Sequence, residues 1–203
     1  MPRSQERSRA SEEAVLVAAA QEFAERGYAG ASYAGVAARA GVGKSRVQYY
    51  AATKAELAAL VARRAFTGAA LAADHVAVET QGIEAVLASV AQVARATEHD
   101  PFTRAAGRLT VEAQGAGLDL PTPYVGWIAR ITTHLDEAVR AGELPASIDT
   151  PAEARRLVAA FTGVKSVLAV LEPPGVSLAE EAGLVIARLL DALRATGRGT
   201  DRQ

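Results

Sequence analysis

Cysteine is absent from the sequence, and aromatic residues are scarce, at 5% of 203 residues with a single tryptophan. The lack of cysteine excludes disulfide bonds, thiol nucleophiles and cysteine-ligated metal ions, and it fits a reducing compartment. Long apolar runs are also missing, because the longest near the start, Ala14–Ala20, is far too short to cross a bilayer. The charged residues among the first twenty positions do not fit a signal peptide. We therefore expect a cytoplasmic protein that does not contact a membrane.

Residue patterns that would indicate an enzyme are missing as well. The three histidines, His75, His99 and His134, are scattered, and no nucleophile stands in a recognisable acid–base cluster. The sequence has no glycine-rich phosphate loop, and no paired histidines have the spacing of metal ligands. The sequence therefore predicts a protein without catalytic residues, a cofactor or a metal ion.

Charge is distributed unevenly along the chain. Hydrophobic residues make up 50% and charged residues 22%, which is the composition of a globular protein. Residues 1–64 contain ten of the 22 lysines and arginines and six of the 23 aspartates and glutamates, so their net charge of +4 leaves −5 for the remainder. A basic N-terminal third favours a polyanionic partner for that third. Chance variation explains the same asymmetry equally well.

Helical periodicity of apolar residues runs through the chain, and glycine and proline divide it into nine predicted helices. Ser11 and Thr150 have the position of N-caps for the first and eighth helices. Thr53 and Glu56 form a capping box that opens the fourth helix, which we expect to continue to about Val78. The other predicted helices begin near Tyr33, Lys44, Gly82, Pro101, Thr122 and Ser177. We predict an all-α fold, because only one short segment within the fourth helix resembles a strand.

The second and third predicted helices are short and joined by a glycine-containing turn, which is typical of a helix-turn-helix. Polar and aromatic residues of the third helix have few roles inside so small a core, and they suit contacts with bases and phosphates. These candidates are Lys44, Ser45, Arg46, Gln48, Tyr49 and Tyr50. Arg46 and Gln48 are the candidates for reading bases, while contact with phosphate alone is the alternative for Arg46. A plain helical hairpin with a solvated face also fits.

Residues 14–57 carry a more specific pattern and resemble the DNA-binding domain of TetR-family regulators. The shared landmarks are Phe23, Gly27–Tyr28, Val36–Ala37, Ala40–Gly41–Val42, Lys44, Tyr49, Lys54 and Leu57. The resemblance implies that residues 1–52 form a DNA-binding domain with a basic N-terminal arm. It implies that residues 53–203 form a domain for ligand binding and dimerisation. It also implies that Lys54 contacts a phosphate and that Tyr49 contacts a phosphate or a thymine methyl group.

The same segment departs from the usual family pattern at positions that shape the helix-turn-helix. The family usually has threonine near Ala31 and an acidic residue at Gly35, which together cap the second helix. Ser32 must therefore cap that helix alone, and we count it among the candidates for DNA contact. At Ala51 the family usually has phenylalanine, so an aromatic anchor between the third and fourth helices is missing.

The eighth and ninth helices carry apolar residues almost all the way round. These residues are Leu157, Val158, Ala160, Phe161, Val164, Val167, Leu168, Leu171, Leu184, Val185, Leu189, Leu190 and Leu193. They cannot all face one core, and a two-fold dimer is the simplest way to bury a second face. A homodimer through these two helices also suits DNA binding, because two recognition helices can then sit about one DNA turn apart.

The only tryptophan lies in a second group of candidates. Trp127 is followed one turn later by Ile131, and Thr162 stands beside Phe161 in the apolar eighth helix. A core tryptophan and a threonine that bonds back to a carbonyl are the ordinary explanations. Residues 121–171, however, resemble the γ-butyrolactone receptor branch of the TetR family. This resemblance implies a pocket lined by Trp127 and a hydrogen bond from Thr162 to a lactone or carboxyl oxygen. We count Ile131 and Phe161, which neighbour these two residues in the sequence, among the ligand-binding candidates.

Together these features predict a homodimeric repressor in the bacterial nucleoid that binds a palindromic operator in double-stranded DNA. A butyrolactone-type or furan-type effector would release it by favouring a conformation in which the fourth helix tilts and separates the recognition helices. A TetR-type regulator that senses an antibiotic or a drug, as a pseudo-receptor or an efflux-pump repressor, is the alternative. An architectural DNA-binding protein without a ligand is a third hypothesis.

Overall fold

The computed structural model describes residues 3–67, 80–120, 124–171 and 173–198, and these residues form nine helices and no strand. The helices are α1 (Arg3–Gly30), α2 (Tyr33–Ala40), α3 (Lys44–Tyr50), α4 (Lys54–Phe66), α5 (Gly82–His99), α6 (Pro101–Ala116), α7 (Val125–Arg140), α8 (Thr150–Leu171) and α9 (Leu178–Arg198). The predicted all-α fold is confirmed. No helix in the described ranges is both long and apolar enough to cross a membrane.

The chain divides into two compact units that interleave along the sequence. The first comprises Met1–Gly68 and His99–Pro123, which contain α1 to α4 and α6. The second comprises Ala69–Glu98 and Tyr124–Gln203, which contain α5 and α7 to α9. The predicted boundary between residues 52 and 53 separates a DNA-binding domain from a ligand-binding and dimerisation domain. It is not a boundary between compact units, and it stays a prediction.

In the first unit, α1 packs along α6 and also against α2 and α4. Phe23 of α1 and Leu57 of α4 are fully buried, as is Val36 of α2. These side chains come from helices that are far apart in the sequence, and their shared core holds the helix-turn-helix of α2 and α3 on α1 and α4.

The start of α1 differs from the prediction. The helix begins at Arg3, so Ser11 lies inside it and does not cap it. Nothing in residues 3–10 breaks a helix, and Ser11 Oγ is instead 3.2 Å from Nε of Arg46 on α3. Near the other end, Gly27 has φ 67° and ψ −178°, which interrupts the helix where the sequence predicts its end.

Side chains of α6 occupy the break in α1 at Gly27. Arg108 donates from one terminal nitrogen to the carbonyl oxygens of Ala24 and Glu25, at 3.2 and 2.9 Å. Glu112 accepts from Arg108 Nε at 2.9 Å and from the amide of Tyr28 at 2.5 Å. The pair thus satisfies polar backbone groups that the interrupted helix leaves without partners.

Replacing Gly27 with alanine is expected to lower the free energy of unfolding by about 2 kcal/mol, because its positive φ disfavours any Cβ. A Cβ there would also stand 2.4 Å from Glu112 Oε1 and displace the Arg108–Glu112 pair. Urea denaturation measures the change. Gly115→Ala on α6 is the matched control, because a Cβ at Gly115 meets nothing within 4 Å. A Gly27→Ala protein as stable as this control would contradict the expectation.

Most predicted helix starts are confirmed, and one cap is reassigned. Thr53 accepts from the amide of Glu56 at 3.1 Å, and Asp100 accepts from the amide of Thr103 at 2.8 Å. At α8, however, Asp149 Oδ1 caps by accepting from the amide of Ala152 at 3.0 Å. Thr150 does not cap, because its hydroxyl donates to the carboxylate of Asp136 on α7.

Several predictions fall outside the described residues. These are the continuation of the fourth helix from residue 68 to Val78 with its strand-like segment, His75, and the start of the seventh helix at Thr122 and Pro123. The described part of α7 begins at Val125, after Tyr124.

In the second unit, α8 packs between α7 and α9. The apolar residues that α7 and α8 bury include Trp127, Ile131, Leu135, Leu157 and Phe161. Other large apolar residues of α8 and α9 stay exposed within one chain: Val167, Val170, Leu171, Leu184 and Leu189. The sequence-based expectation of a second apolar face on these helices is therefore met, since the chain itself does not cover it.

Candidate functional site

The third helix, α3, presents its polar side chains to solvent and is anchored by one apolar residue. Val47 is fully buried, and no other residue of α3 belongs to the buried class. The exposed residues are Lys44, Ser45, Arg46, Gln48 and Tyr49, and Tyr50 is half-buried. The structure thus brings the predicted DNA-contacting residues of α3 together on one accessible surface.

Two neighbouring features place α3. Ser32 Oγ accepts from the amide of Gly35 at 3.0 Å, so its side chain caps α2 as predicted. At the end of α2, Gly41 has φ 65°, a left-handed conformation that lets the chain turn into α3. A contact between Ser32 and DNA stays a prediction.

A buried carboxylate explains why Gly35 departs from the family pattern. Glu22 of α1 is fully buried, and a Cβ at Gly35 would stand 2.1 Å from its Oε1. The acidic group therefore comes from α1 to the first turn of α2, where negative charge is favourable. Any side chain at Gly35 would displace it.

Arg39 ties the buried carboxylate to a second acidic residue. Its Nε lies 2.9 Å from Glu22 Oε2, and its terminal nitrogens bind the carboxylate of Glu25. The hydrogen bond from Arg39 lowers the pKa of Glu25, and both carboxylates raise the pKa of Arg39. The two ion pairs fasten α2 to α1.

The backbone at Ala51, where the family usually has phenylalanine, is held by Tyr33. Ala51 is buried, and its carbonyl oxygen accepts from the Tyr33 hydroxyl at 3.0 Å. Burial raises the pKa of this phenol. The hydrogen bond from Tyr33 therefore fixes the end of α3 to the start of α2.

Arg46, the candidate for reading bases, is held by its neighbours. Its guanidinium lies 5.7 Å from the ring centre of Tyr49 and 5.5 Å from that of Tyr50, and Ser11 Oγ is 3.2 Å from its Nε. Tyr50 also donates to the carbonyl oxygen of Ser8 at 3.3 Å. The early turns of α1 therefore support the exposed surface of α3.

Lys54 has internal partners in this structure. Its Nζ donates to the carbonyl oxygens of Ala29 and Ala31, at 3.3 and 3.2 Å. It also lies 4.7 Å from the ring centre of Tyr28, within the range of a cation–π contact. These contacts fix the start of α4 to the end of α1, and a contact between Lys54 and phosphate stays a prediction.

A second cluster lies where α7 and α8 pack together. The rings of Trp127 and Phe161 meet edge to face, with centroids 4.9 Å apart. Trp127 is only 1% exposed, and its indole N–H donates to Ser89 Oγ on α5 at 3.0 Å. Ile131, one turn after Trp127, is equally buried. Three of the four residues predicted for a ligand pocket therefore belong to one apolar region.

Thr162 joins this region through Tyr124. Its hydroxyl donates to the carbonyl oxygen of Val158 at 2.9 Å, which is the ordinary bond of a threonine inside a helix. Burial raises the pKa of the Tyr124 phenol, and Thr162 lowers it in part. Tyr124 has φ 67°, a strained conformation that is uncommon outside glycine. We call Tyr124, Trp127, Ile131, Phe161 and Thr162 the α7–α8 cluster.

The chain matches two family models that together span most of its length. Residues 15–61 match the bacterial regulatory proteins of the tetR family, and residues 80–194 match the tetracyclin repressor-like C-terminal domain. The chain belongs to the TetR family. Regulators of this family bind operator DNA and a ligand, form dimers, and are typically not enzymes.

This TetR-family chain is similar to individual proteins that are named as receptors. It is 30% identical to the A-factor receptor protein of Streptomyces griseus over 75% of its own length, and it spans 53% of that protein. It is 32% identical, with a TM-score of 0.78, to a protein solved to explain control of antibiotic production by a bacterial hormone, covering 89% of this chain and 95% of the other. A γ-butyrolactone receptor, ArpA-like, shares the fold at 22% identity and a TM-score of 0.62, over 91% and 99% of the chains.

Several residues of this TetR-family protein escaped sequence reasoning. Ser8 and Ser11 support α3, and Ser89 and Tyr124 hold Trp127 and Thr162. One signal was present in the sequence, because Tyr124 stands only three residues before Trp127 and is therefore close to it along the chain. The serines carry no comparable signal, since their partners are 35 or more residues away.

Proposed function

We propose that this protein is a homodimeric transcriptional repressor that binds a palindromic operator through α3 and is released by a small signalling molecule of the butyrolactone or furan type. The observation that carries the proposal is the exposed polar surface of α3. Val47 anchors this helix in the core, and Ser11 of α1 contacts its Arg46. Such a surface has no role in the core of one chain, and its arginine and glutamine suit the edges of bases in the major groove.

The α7–α8 cluster supports the second half of the proposal, release by a small molecule. It combines an apolar wall of aromatic and aliphatic side chains with the hydroxyls of Tyr124 and Thr162. Binding sites for small molecules have this character, with a few polar groups that orient a mostly apolar ligand. A lactone or furan bearing an alkyl chain presents the matching chemistry.

Dimerisation through α8 and α9 is supported by the apolar residues that one chain leaves exposed. Val170 is 82% and Leu171 67% exposed on α8, and Leu184 is 54% exposed on α9. Burying both copies of such a face removes apolar area from water, which is the main favourable term in association. It also relates two recognition helices by a two-fold axis, as a palindrome requires.

Replacing Val170 with glutamate is expected to weaken the dimer at least roughly 30-fold, because each copy would bury an unpaired carboxylate at the interface. Analytical ultracentrifugation over a range of concentrations measures the change. Val111→Glu is the matched control, since Val111 of α6 is equally apolar and 78% exposed. Dimers of the same affinity in both variants would place the interface elsewhere.

We further propose that release runs through α4 and α6. Both helices pack in the unit that contains α1, and α6 follows directly on α5, whose Ser89 binds Trp127. A ligand that displaces Trp127 would shift α5 through the bond to Ser89. Because α6 follows α5 directly, this shift would reach the Arg108–Glu112 pair of α6, which binds the backbone around Gly27. A coupling free energy of about 1–3 kcal/mol would lower operator affinity roughly 5- to 150-fold.

The test is a gel-shift titration of the protein on operator DNA selected from random sequence. Butyrolactones, furan-type molecules and antibiotic-containing extracts are added to the preformed complex. Release by a lactone or furan supports the proposal. Release by antibiotics alone would make the protein a drug-sensing repressor, and release by nothing would favour an architectural protein. Failure to select any DNA sequence would overturn the DNA-binding role itself.

A further inference from the structure

Ser11 stands in a stretch of α1 that takes no part in the apolar core. Between positions 8 and 14 every residue except Ser11 is exposed, and full burial begins only at Val15. Burial of apolar side chains therefore does not fix these turns, and polar contacts hold them instead. The one half-buried residue among them, Ser11, is the residue whose hydroxyl accepts a hydrogen bond from Nε of Arg46 at 3.2 Å.

The guanidinium of Arg46 is held at one end and open at the other. Its Nε donates to Ser11, and the rings of Tyr49 and Tyr50 lie 5.7 and 5.5 Å from its central carbon. Tyr50 is itself fixed, because its hydroxyl donates to the carbonyl oxygen of Ser8 at 3.3 Å. The two terminal nitrogens of Arg46 have no hydrogen-bond partner in the part of the chain that the structure describes, and the residue is exposed. These nitrogens can therefore bind another molecule.

The choice of free nitrogens limits how Arg46 can read a base. A guanidinium can donate two parallel hydrogen bonds either from its two terminal nitrogens or from Nε and one terminal nitrogen. Because Ser11 occupies Nε, only the first arrangement remains. Two parallel donors match the adjacent acceptors O6 and N7 of guanine, whereas adenine presents an amino donor in place of O6.

Resting on the proposed function, we propose that Ser11 is a positioning residue that sets the base preference of α3. It holds Arg46 by Nε, so that both terminal nitrogens bind O6 and N7 of one guanine in the major groove of the operator. Ser11 itself does not touch the DNA. The base preference therefore depends on a residue of α1 that lies 35 positions from Arg46 and outside the helix-turn-helix.

The experiment uses the full-length protein and an operator selected from random sequence. Competition gel shifts compare this operator with versions in which the guanine read by Arg46 is replaced by adenine or by 7-deazaguanine, which lacks the N7 acceptor. That guanine is the base whose preference disappears in Arg46→Ala. We expect Ser11→Ala to weaken operator binding roughly 3- to 10-fold, as for the loss of one hydrogen bond. The preference for guanine should fall by the same factor, while other base pairs and the salt dependence stay unchanged. Ser11→Thr keeps the hydroxyl and should keep the preference.

Ser8→Ala is the matched control on the same turns of α1. Ser8 is exposed and contributes only its carbonyl oxygen to Tyr50, so the substitution should change nothing. In an Arg46→Ala background Ser11→Ala should have no further effect, because the two residues act as one unit. Thermal unfolding of each variant shows that it is folded.

Four outcomes would overturn the inference and leave the DNA-binding role intact. These are a Ser11→Ala protein that binds like Ser8→Ala, a loss that is equal at all base pairs, a loss that persists without Arg46, and the absence of any guanine whose preference depends on Arg46. Failure of the wild-type protein to select any DNA would instead refute the proposed function.

Discussion

Arg39→Ala is expected to lower the free energy of unfolding by about 3 kcal/mol, because it leaves the Glu22 carboxylate buried without its cationic partner. Glu22 is fully buried, and Arg39 supplies its hydrogen bond at 2.9 Å. Removing one member of such a pair costs more than the pair contributes, since a charge stays in a medium that solvates it poorly. Urea denaturation of the purified protein measures the loss.

The control for this prediction is Arg26→Ala. Arg26 approaches the same carboxylate at 3.7 Å but is 57% exposed, so its pairing is weak and its loss should cost less than about 1 kcal/mol. Operator affinity should fall with Arg39→Ala as well, because the Glu22–Arg39–Glu25 ion pairs fasten α2 to α1 and so position α3. Equal losses of stability in the two variants would refute the special role of the Arg39 pair.

Arg46→Ala is expected to weaken operator binding by about 1–3 kcal/mol and to relax the preference for one base pair, as loss of a bidentate contact with guanine would. The side chain is exposed but held by Ser11 and by the rings of Tyr49 and Tyr50, so little ordering is needed on binding. Binding to the selected operator and to single-base variants over a range of salt concentrations measures both effects.

The salt dependence separates base reading from phosphate contact. A phosphate contact would cut the slope of log affinity against log salt by about one and weaken all sequences alike. Arg46→Lys is the informative companion variant, because lysine keeps the charge but not the two parallel donors. If Arg46→Ala only reduced the slope and left base preference unchanged, Arg46 would be a phosphate contact.

Local features of this fold could be predicted because their causes are local. The caps at Ser32 and Thr53 depend on a side chain and an amide three residues away, and both occur as expected. The same holds for the exposed surface of α3, whose pattern has one apolar residue, Val47, among polar neighbours. The predicted cap at Thr150 was wrong, because the Thr150 hydroxyl donates to Asp136 on another helix, α7.

In the region around Trp127 and Thr162, too, the sequence indicated some residues and only the structure revealed their partners. Sequence alone singled out Trp127 and Thr162, by rarity and by resemblance, and the structure places both in one cluster. Their partners Ser89 and Tyr124 became visible only when the helices were assembled.

By itself, then, the sequence determined the all-α fold class, where most of the described helices begin, and that an exposed helix with polar and aromatic side chains follows a glycine turn. Helix propensity, capping and periodicity act over a few residues, so a single sequence carries them in full. The tertiary structure decided that Glu22 fills the space at Gly35 and that Ser11 supports Arg46. Each of these depends on which distant surfaces meet, and that is settled only by packing the whole chain.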